Sequence, residues 1–286
     1  MISRLPPGLA CLLPLCLTAC QPAQEAALPG ADQLLARAFP GWRENGRPQV
    51  RDVDLGPQAA AAKRRMADTH LVPAQLTPLG VLPLDAGHLA VLTETVPLDD
   101  YDQPQTGHAF GAHLGVYFFR REGADWVLEK RLDSAHQQGA GGTLGSVHWQ
   151  TDASLGPLVS LSWGSCWQGY CGSWLSLVQL APGQVRVLAD NLPTHADNSG
   201  SGELCDALSR EEAPPEDDEA PVPPSCYGIH SEWKISGEGL RLQFGGWQHD
   251  TPASAHRREN IREDALYTLQ NGRFRLREGK NPVPAL

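Results

Sequence analysis

A short polar run near the middle of the chain carries the side chains best suited to catalysis. His195, Asp197 and Ser199 alternate within the stretch THADNSG, residues 194–200. A histidine beside a carboxylate is the arrangement of a general base and its orienting group, and a nearby serine hydroxyl would be the nucleophile. The same histidine and carboxylate would also suit two ligands of a metal ion. Residues this close in sequence often hydrogen-bond only within their own loop, so a structural role stays open.

Two further histidines, His108 and His113, lie in the stretch GHAFGAH and are secondary candidates. The sequence contains neither a Gly-x-Ser-x-Gly elbow nor a His-Glu-x-x-His motif, and the glycine-rich run 139–142 lacks the lysine of a phosphate-binding loop. The sequence therefore favours a non-catalytic protein and predicts neither a cofactor nor a metal. The alternative is a cell-envelope hydrolase or metal-dependent enzyme that uses His195 and Asp197.

Four cysteines follow the first twenty residues: Cys166, Cys171, Cys205 and Cys226. An even number is typical of disulfide-bonded domains in exported proteins. Pairing of Cys166 with Cys171 and of Cys205 with Cys226 is favoured, because each pair then closes its own loop rich in turn residues. A zinc site is disfavoured, since the sequence has no Cys-x-x-Cys pair.

The smaller of these loops carries two aromatic side chains, Trp167 and Tyr170, within the run WGSCWQGYCGSW. A disulfide loop that presents a tryptophan and a tyrosine would form a rigid tip for a protein, peptide or glycan partner, because rigid aromatic side chains lose little entropy on binding. The alternative is that both side chains fold back as a lid over one end of the core. Trp163 and Trp174 fall on predicted strands and are expected in the core.

The first nineteen residues have the layout of a secretory signal. Arg4 is the only charge before Glu25, and an apolar stretch rich in leucine follows it. The stretch is too short and too interrupted by proline for a membrane span. It ends Leu17-Thr18-Ala19-Cys20, which resembles the lipobox of bacterial lipoproteins.

The resemblance implies cleavage after residues 1–19 and attachment of a diacylglyceryl group, whose acyl chains include palmitate, to the sulfur of Cys20 through a thioether. Several acyl chains, each stabilised by ~0.8 kcal/mol per buried CH₂ group, give durable anchoring. Gln21 rather than Asp follows the cysteine, which in Gram-negative bacteria implies export to the outer membrane, facing the periplasm. In a Gram-positive source the anchor would sit on the plasma membrane. Residues 20–30 would then be a lipidated tether; an ordinary secretory signal with a chance cysteine is the alternative.

The chain is acidic, with 33 Asp and Glu against 23 Lys and Arg and a formal net charge of -10. This balance disfavours nucleic acid, whose phosphates need neutralisation by Lys and Arg. It also disfavours electrostatic adhesion to anionic lipids, so the acyl chains would hold the protein at the membrane. Carboxylates and prolines are dense between Cys205 and Cys226, and a disordered acidic loop is predicted for residues 209–224.

Residues 31–286 are predicted to form a single β-rich, all-β domain with one or two short N-terminal helices, at 32–39 and 58–69. The strands recur in three groups of four, with apolar and polar residues alternating and glycine-containing turns between them. Repeated four-stranded antiparallel units are the plan of β-propeller blades, so propeller-like and sandwich arrangements both stay open. The predicted strands are 79–84, 88–95, 114–120 and 126–132; 146–150, 158–163, 174–180 and 185–189; 230–235, 240–244, 265–269 and 273–277; and an additional candidate at 49–53.

Overall fold

The computed structural model describes residues 28–56, 71–212, 225–250 and 258–285. Within these ranges the chain is mostly β-structure, in two antiparallel sheets, as the sequence predicts. It also has two short α-helices, of which the sequence predicted the first and missed the second. The elements are α1 (Ala31–Ala38), β1 (Gln49–Asp54), β2 (Leu71–Pro83), β3 (His88–Pro97), β4 (Ala112–Glu122), β5 (Asp125–Gln138), β6 (Ser146–Asp152), β7 (Gly156–Trp167), β8 (Tyr170–Ala181), β9 (Gln184–Asp197), α2 (Glu203–Ser209), β10 (Ser225–Ser236), β11 (Gly239–Asp250), β12 (Glu259–Gln270) and β13 (Arg273–Gly279).

Helix α1 buries one face against the first sheet. Leu34, Leu35 and Ala38 lie on that face and belong to a buried cluster shared with β1 to β4. Gly30 is the N-cap, so Asp32 lies in the first turn of the helix and does not cap it. The Asp32 carboxylate instead accepts a hydrogen bond from Trp42 Nε1 at 2.8 Å, which ties the helix to the segment that follows it.

The first sheet has five strands in the order β1-β2-β3-β4-β5. Its two edge strands are joined by side chains: the backbone N–H of Asp54 on β1 donates to Asp133 Oδ2 on β5 at 2.9 Å. Arg131, also on β5, donates to the Asp52 carbonyl at 2.9 Å and to Asp133 Oδ1 at 2.7 Å. Because a flat sheet would hold its edges far apart, these bonds show that the sheet curls around the cluster beneath α1.

The second sheet is an eight-stranded meander from β6 to β13 in sequence order. The central pair β9 and β10 is joined over only three residue pairs, whereas β10 and β11 are paired along their full length. Strand β13 returns to contact β9, and a cluster that includes Leu175, Leu188, Leu240 and Phe274 is buried between the two halves. The sheet therefore folds over on itself at the β9–β10 junction.

The two sheets pack against each other through a third cluster. Leu92 and Phe118 of the first sheet meet Val159, Leu161 and Val178 of the second, and all five are buried. Burial of such a side chain contributes about 1.5–3 kcal/mol. The alternation of apolar and polar residues along β7 predicts this buried face. Val159 and Leu161 are buried, while Ser160 between them points the other way.

Each predicted strand coincides with an observed one, and the candidate at 49–53 is β1. The way in which the strands are grouped into sheets differs from that of a propeller. The second and third groups of four are not separate blades, because β9 pairs with β10 and merges them into one sheet. The predicted helix at 58–69 lies outside the described residues, as does the 213–224 part of the predicted acidic loop. Of the rest of that loop, Ser209 is the last residue of α2, and residues 210 and 211 form the turn that follows it.

Candidate functional site

The end of the β7–β8 hairpin concentrates aromatic side chains on one face. Trp163 pairs with Trp174, Ser165 with Gly172, and Trp167 with Tyr170. Alternate cross-strand pairs share a face of a sheet, so four aromatic side chains lie in two rows with the small Gly172 between them. Trp163 and Trp174 stack with ring centroids 4.3 Å apart, and the Trp163 indole N–H donates to Asn191 Oδ1 at 2.8 Å.

The hairpin is closed on its other face by a disulfide. Cys166 and Cys171 are directly opposite each other, with Cα atoms 4.0 Å apart, and they are bonded. The second disulfide joins Cys205 of α2 to Cys226 of β10. Both predicted pairings are confirmed. Disulfides form and persist in oxidising compartments, so the described domain is that of an exported protein.

The turn at the tip is tight and braced from outside. Gln168 and Gly169 both have positive φ, +50° and +82°, which is the requirement of a two-residue type I′ turn. A Cβ on Gly169 would lie 2.1 Å from the carbonyl oxygen of Gly200, so only glycine allows this close approach. The tip is therefore held by its turn, its disulfide and a neighbouring segment.

Trp167 and Tyr170 point away from the core. Trp167 is 64% exposed and Tyr170 is 37% exposed. The two side chains therefore form an exposed tip and do not fold back as a lid over the core.

The aromatic side chains line a cavity of about 670 Å³, which we call the aromatic cleft. Tyr227 of β10, Gly139 and Ala140 of the loop after β5, and Ala285 complete it alongside the hairpin. Burial raises the pKa of Tyr227, and Tyr170 and Asp197 raise it further, so the Tyr227 hydroxyl keeps its hydrogen and can donate it. The ring-bearing side chains that line the cleft are Trp163, Trp167, Tyr170, Trp174, Tyr227 and His108. The expectation that Trp163 and Trp174 lie in the core was wrong, because both are only partly buried and face this cleft.

His108 contacts the hairpin through both its ring nitrogen and its ring face. Its Nε2 lies 2.7 Å from Ser165 Oγ and 3.1 Å from the Cys166 carbonyl oxygen. A carbonyl oxygen can only accept, so the contact to Cys166 fits an Nε2–H donor, whereas the Ser165 hydroxyl donates to or accepts from this nitrogen according to the tautomer. The ring also contacts Trp167, with centroids 5.4 Å apart, and so fixes the exposed indole from one side.

The His195, Asp197 and Ser199 run forms a local turn. Asp197 Oδ1 accepts hydrogen bonds from the Ser199 backbone N–H at 3.0 Å and from Ser199 Oγ at 2.6 Å. His195 lies on β9 between Ser173 of β8 and His230 of β10. In the part of the chain that the structure describes, no hydrogen bond joins His195 to Asp197. The geometry is that of an Asp-centred turn, with the serine hydroxyl donating to the carboxylate.

His113, the other histidine of the 107–113 stretch, is a buried structural residue. Its side chain lies on β4, where Nδ1 is 2.8 Å from Ser134 Oγ. Burial lowers the pKa of His113 from 6.5 to about 4, so the ring stays neutral at pH 7. Among the described residues, no group of three or more His, Cys, Asp and Glu side chains is placed to hold a metal ion.

Comparison with protein-family models, with curated proteins and with solved structures gave no match to this chain. Over the described ranges, neither helix has the length and apolar character needed to cross a bilayer. Cys20 lies outside the described residues, so its acylation stays a prediction.

The sequence therefore predicted the tip of the site but not its surroundings. His108, Tyr227 and Ala285 come from three separate parts of the chain and meet at the cleft only in the folded protein. The run of four tryptophans between residues 149 and 174 was the signal for the hairpin. His108 was a candidate for chemistry and not for this cleft, and no pattern in the sequence marks Tyr227 or Ala285.

Proposed function

We propose that this chain is a lipid-anchored protein of the cell envelope whose β-domain binds a partner through the aromatic cleft and catalyses no reaction. The observation that carries the proposal is the exposed Trp167 on a tip that the disulfide, the turn and Gly200 all hold in place. An exposed aromatic side chain that is already rigid loses little entropy on binding, and tryptophan and tyrosine are the commonest anchors of binding energy.

The lipobox-like LTAC sequence and the disulfides support the location. Acyl chains on Cys20 would hold the domain at a membrane surface, with the outer membrane of a Gram-negative cell as the expected site because Gln21 follows the cysteine. We assign no second function to the His195 loop, since the Ser199 hydroxyl donates to the Asp197 carboxylate and not to His195.

The anchor is tested by labelling cells of the native host with palmitate. The wild-type protein is expected to incorporate the label, and Cys20→Ser is expected to lose it completely, because the thiol is the only acceptor that the lipobox defines. Cys16→Ser is the matched control and should be labelled normally. Labelled Cys20→Ser protein, or a native amino terminus that still begins at Met1, would contradict the anchor.

The cleft is tested by a photo-reactive amino acid placed at Gln168, which lines the cleft, and separately at Gln184, an exposed glutamine at the next hairpin turn. Covalent adducts with an envelope component are expected at position 168 only. They should be lost when Trp167→Ala is added, because the indole is the main contact. Adducts at both positions alike, or adducts that persist without the indole, would show that the cleft is not the binding site.

A further inference from the structure

A proline-containing segment of the chain runs to the edge of the aromatic cleft. Residues 281–285, with the sequence NPVPA, follow β13 without regular secondary structure. Asn281 fixes the start of this segment, since its Nδ2 donates to the Pro193 carbonyl at 2.9 Å and its Oδ1 accepts from the Val283 N–H at 3.0 Å. Val283 packs against the core of the second sheet, and Ala285 reaches the cleft lining.

The composition of this segment favours an extended backbone. Pro282 and Pro284 have φ fixed near -65°, and each restricts the residue before it to extended conformations. Asn281 and Val283 are those preceding residues. The sequence of this segment therefore favours a neutral, extended backbone with proline at alternate positions, as in a polyproline II helix, and this chain lies beside the cleft.

The chemistry of the cleft matches the same kind of chain. No Asp, Glu, Lys or Arg is among the described residues that line it. Proline-rich peptides dock in aromatic-lined grooves, where proline rings pack on aromatic faces and a few neutral donors meet the backbone carbonyls. Such donors are present in Gln168, Tyr170 and Tyr227, which all border the cleft.

A glycan fits this lining less well. Each sugar carries several hydroxyl groups, and a buried polar group without a partner costs about 1–3 kcal/mol. Besides the histidine and indole nitrogens, the polar side chains of the lining are Ser165, Gln168, Tyr170 and Tyr227, and Ser165 is already hydrogen-bonded to His108. These are too few to satisfy the several hydroxyl groups of each sugar. A polyproline II peptide has no N–H at proline and one carbonyl per residue, so it leaves fewer groups unpaired in an uncharged cleft.

We infer that the aromatic cleft binds an extended, uncharged, proline-containing peptide segment of an envelope protein, which lies against the Trp167 and Tyr170 face beside residues 281–285. The inference rests on the proposed binding function of the cleft and specifies its ligand class. Trp167 supplies the largest aromatic surface for the proline rings, and the Gln168, Tyr170 and Tyr227 donors meet the peptide carbonyls.

The test uses the lipidated full-length protein in detergent and fluorescence anisotropy of a labelled peptide, PVPAPVPA. Binding is expected, with about tenfold weaker affinity for Trp167→Ala, the loss typical of an anchor residue. Trp149→Ala is the matched control, because Trp149 is a partly exposed tryptophan that packs on Gly80 away from the cleft, and its affinity should equal that of the wild type. The peptide with every proline replaced by alanine should not bind.

Three results would overturn the inference. Equal binding of the alanine peptide would show that proline is not recognised. Binding of soluble envelope glycan fragments that depends on Trp167, without binding of PVPAPVPA, would replace the peptide by a glycan and leave the binding function intact. If neither probe binds, the ligand class is wrong, and the adducts at position 168 decide separately whether the cleft binds anything.

Discussion

Asp133→Ala is expected to lower the free energy of unfolding by about 2–4 kcal/mol, because removal of this buried carboxylate leaves its hydrogen-bond donors without a partner, at about 1–3 kcal/mol for a buried one. The Asp133 side chain is 4% exposed and bonds to three groups. These are the backbone N–H of Asp54, the Tyr117 hydroxyl and Arg131 Nε. Alanine would leave the buried Tyr117 hydroxyl without its acceptor and Arg131 without its counter-charge.

The loss should be global because Asp133 joins the edges of the first sheet. Strands β1 and β5 share no backbone ladder, so Asp133 and Arg131 hold them together around the cluster under α1. Asp133→Asn keeps the shape and one acceptor oxygen, and an intermediate loss of about 1–3 kcal/mol is expected. Urea denaturation with linear extrapolation measures these values.

Asp125→Ala is the matched control on the same strand. Asp125 lies 3.4 Å from Arg37, but its side chain is 75% exposed. Exposed ion pairs contribute about 0–1 kcal/mol, so this variant should unfold close to the wild type. Similar losses for Asp125→Ala and Asp133→Ala would mean that the Asp133 bonds do not close the sheet.

The strand positions were predictable because the pattern that marks them is local. Leu240, Leu242 and Phe244 are buried on one face of β11, and Arg241 and Gln243 lie on the other. Strand length was harder to predict. Strand β2 begins at Leu71, eight residues before its predicted start at Leu79, and it contains Pro73 and Pro78. Proline disfavours a strand because it has no N–H to donate to a neighbouring strand. At Pro78 the pairing of β2 with β3 shifts register before Gly80, and this irregularity accommodates the proline.

The assembly of the strands was not predictable in the same way. The Asp133 contact to Asp54 spans 79 residues of sequence, and nothing near either residue marks it. The merging of the second and third strand groups depends on three pairs between β9 and β10, on either side of the acidic stretch. The aromatic cleft was predictable only in part for the same reason. Trp167 and Tyr170 stand out in the sequence, whereas Tyr227 and Ala285 line the cleft only because distant segments pack together.

The double substitution Cys205→Ser and Cys226→Ser is expected to lower the free energy of unfolding by about 3 kcal/mol, the loop-entropy value for a bond of sequence separation 21. The double substitution Cys166→Ser and Cys171→Ser is the matched comparison. Its separation is 5, and a smaller loss of about 2 kcal/mol is expected. Both are measured by urea denaturation without reductant.

The first pair also holds a helix that would not persist alone. Helix α2 has seven residues, well below the length at which an isolated helix is stable. Leu204 and Leu208 pack with Trp247 and both cysteines, and Arg258 lies over the Trp247 ring at 5.2 Å. Without the disulfide, amide exchange in α2 should accelerate and Trp247 should become more exposed.

The disulfide whose loss costs less unfolding free energy, Cys166–Cys171, should matter more for binding. Loss of the Cys166–Cys171 bond loosens the hairpin that presents Trp167, so adducts at position 168 should decrease strongly. Loss of the Cys205–Cys226 bond should leave those adducts nearly unchanged, because Asn198 holds the segment beside Gly200 on its own. Asn198 Nδ2 donates to the Ser225 carbonyl at 2.7 Å, and its Oδ1 accepts from the Tyr227 N–H at 2.7 Å. If the less stable variant were also the weaker binder, the tip would depend on the overall stability of the domain and not on its own disulfide.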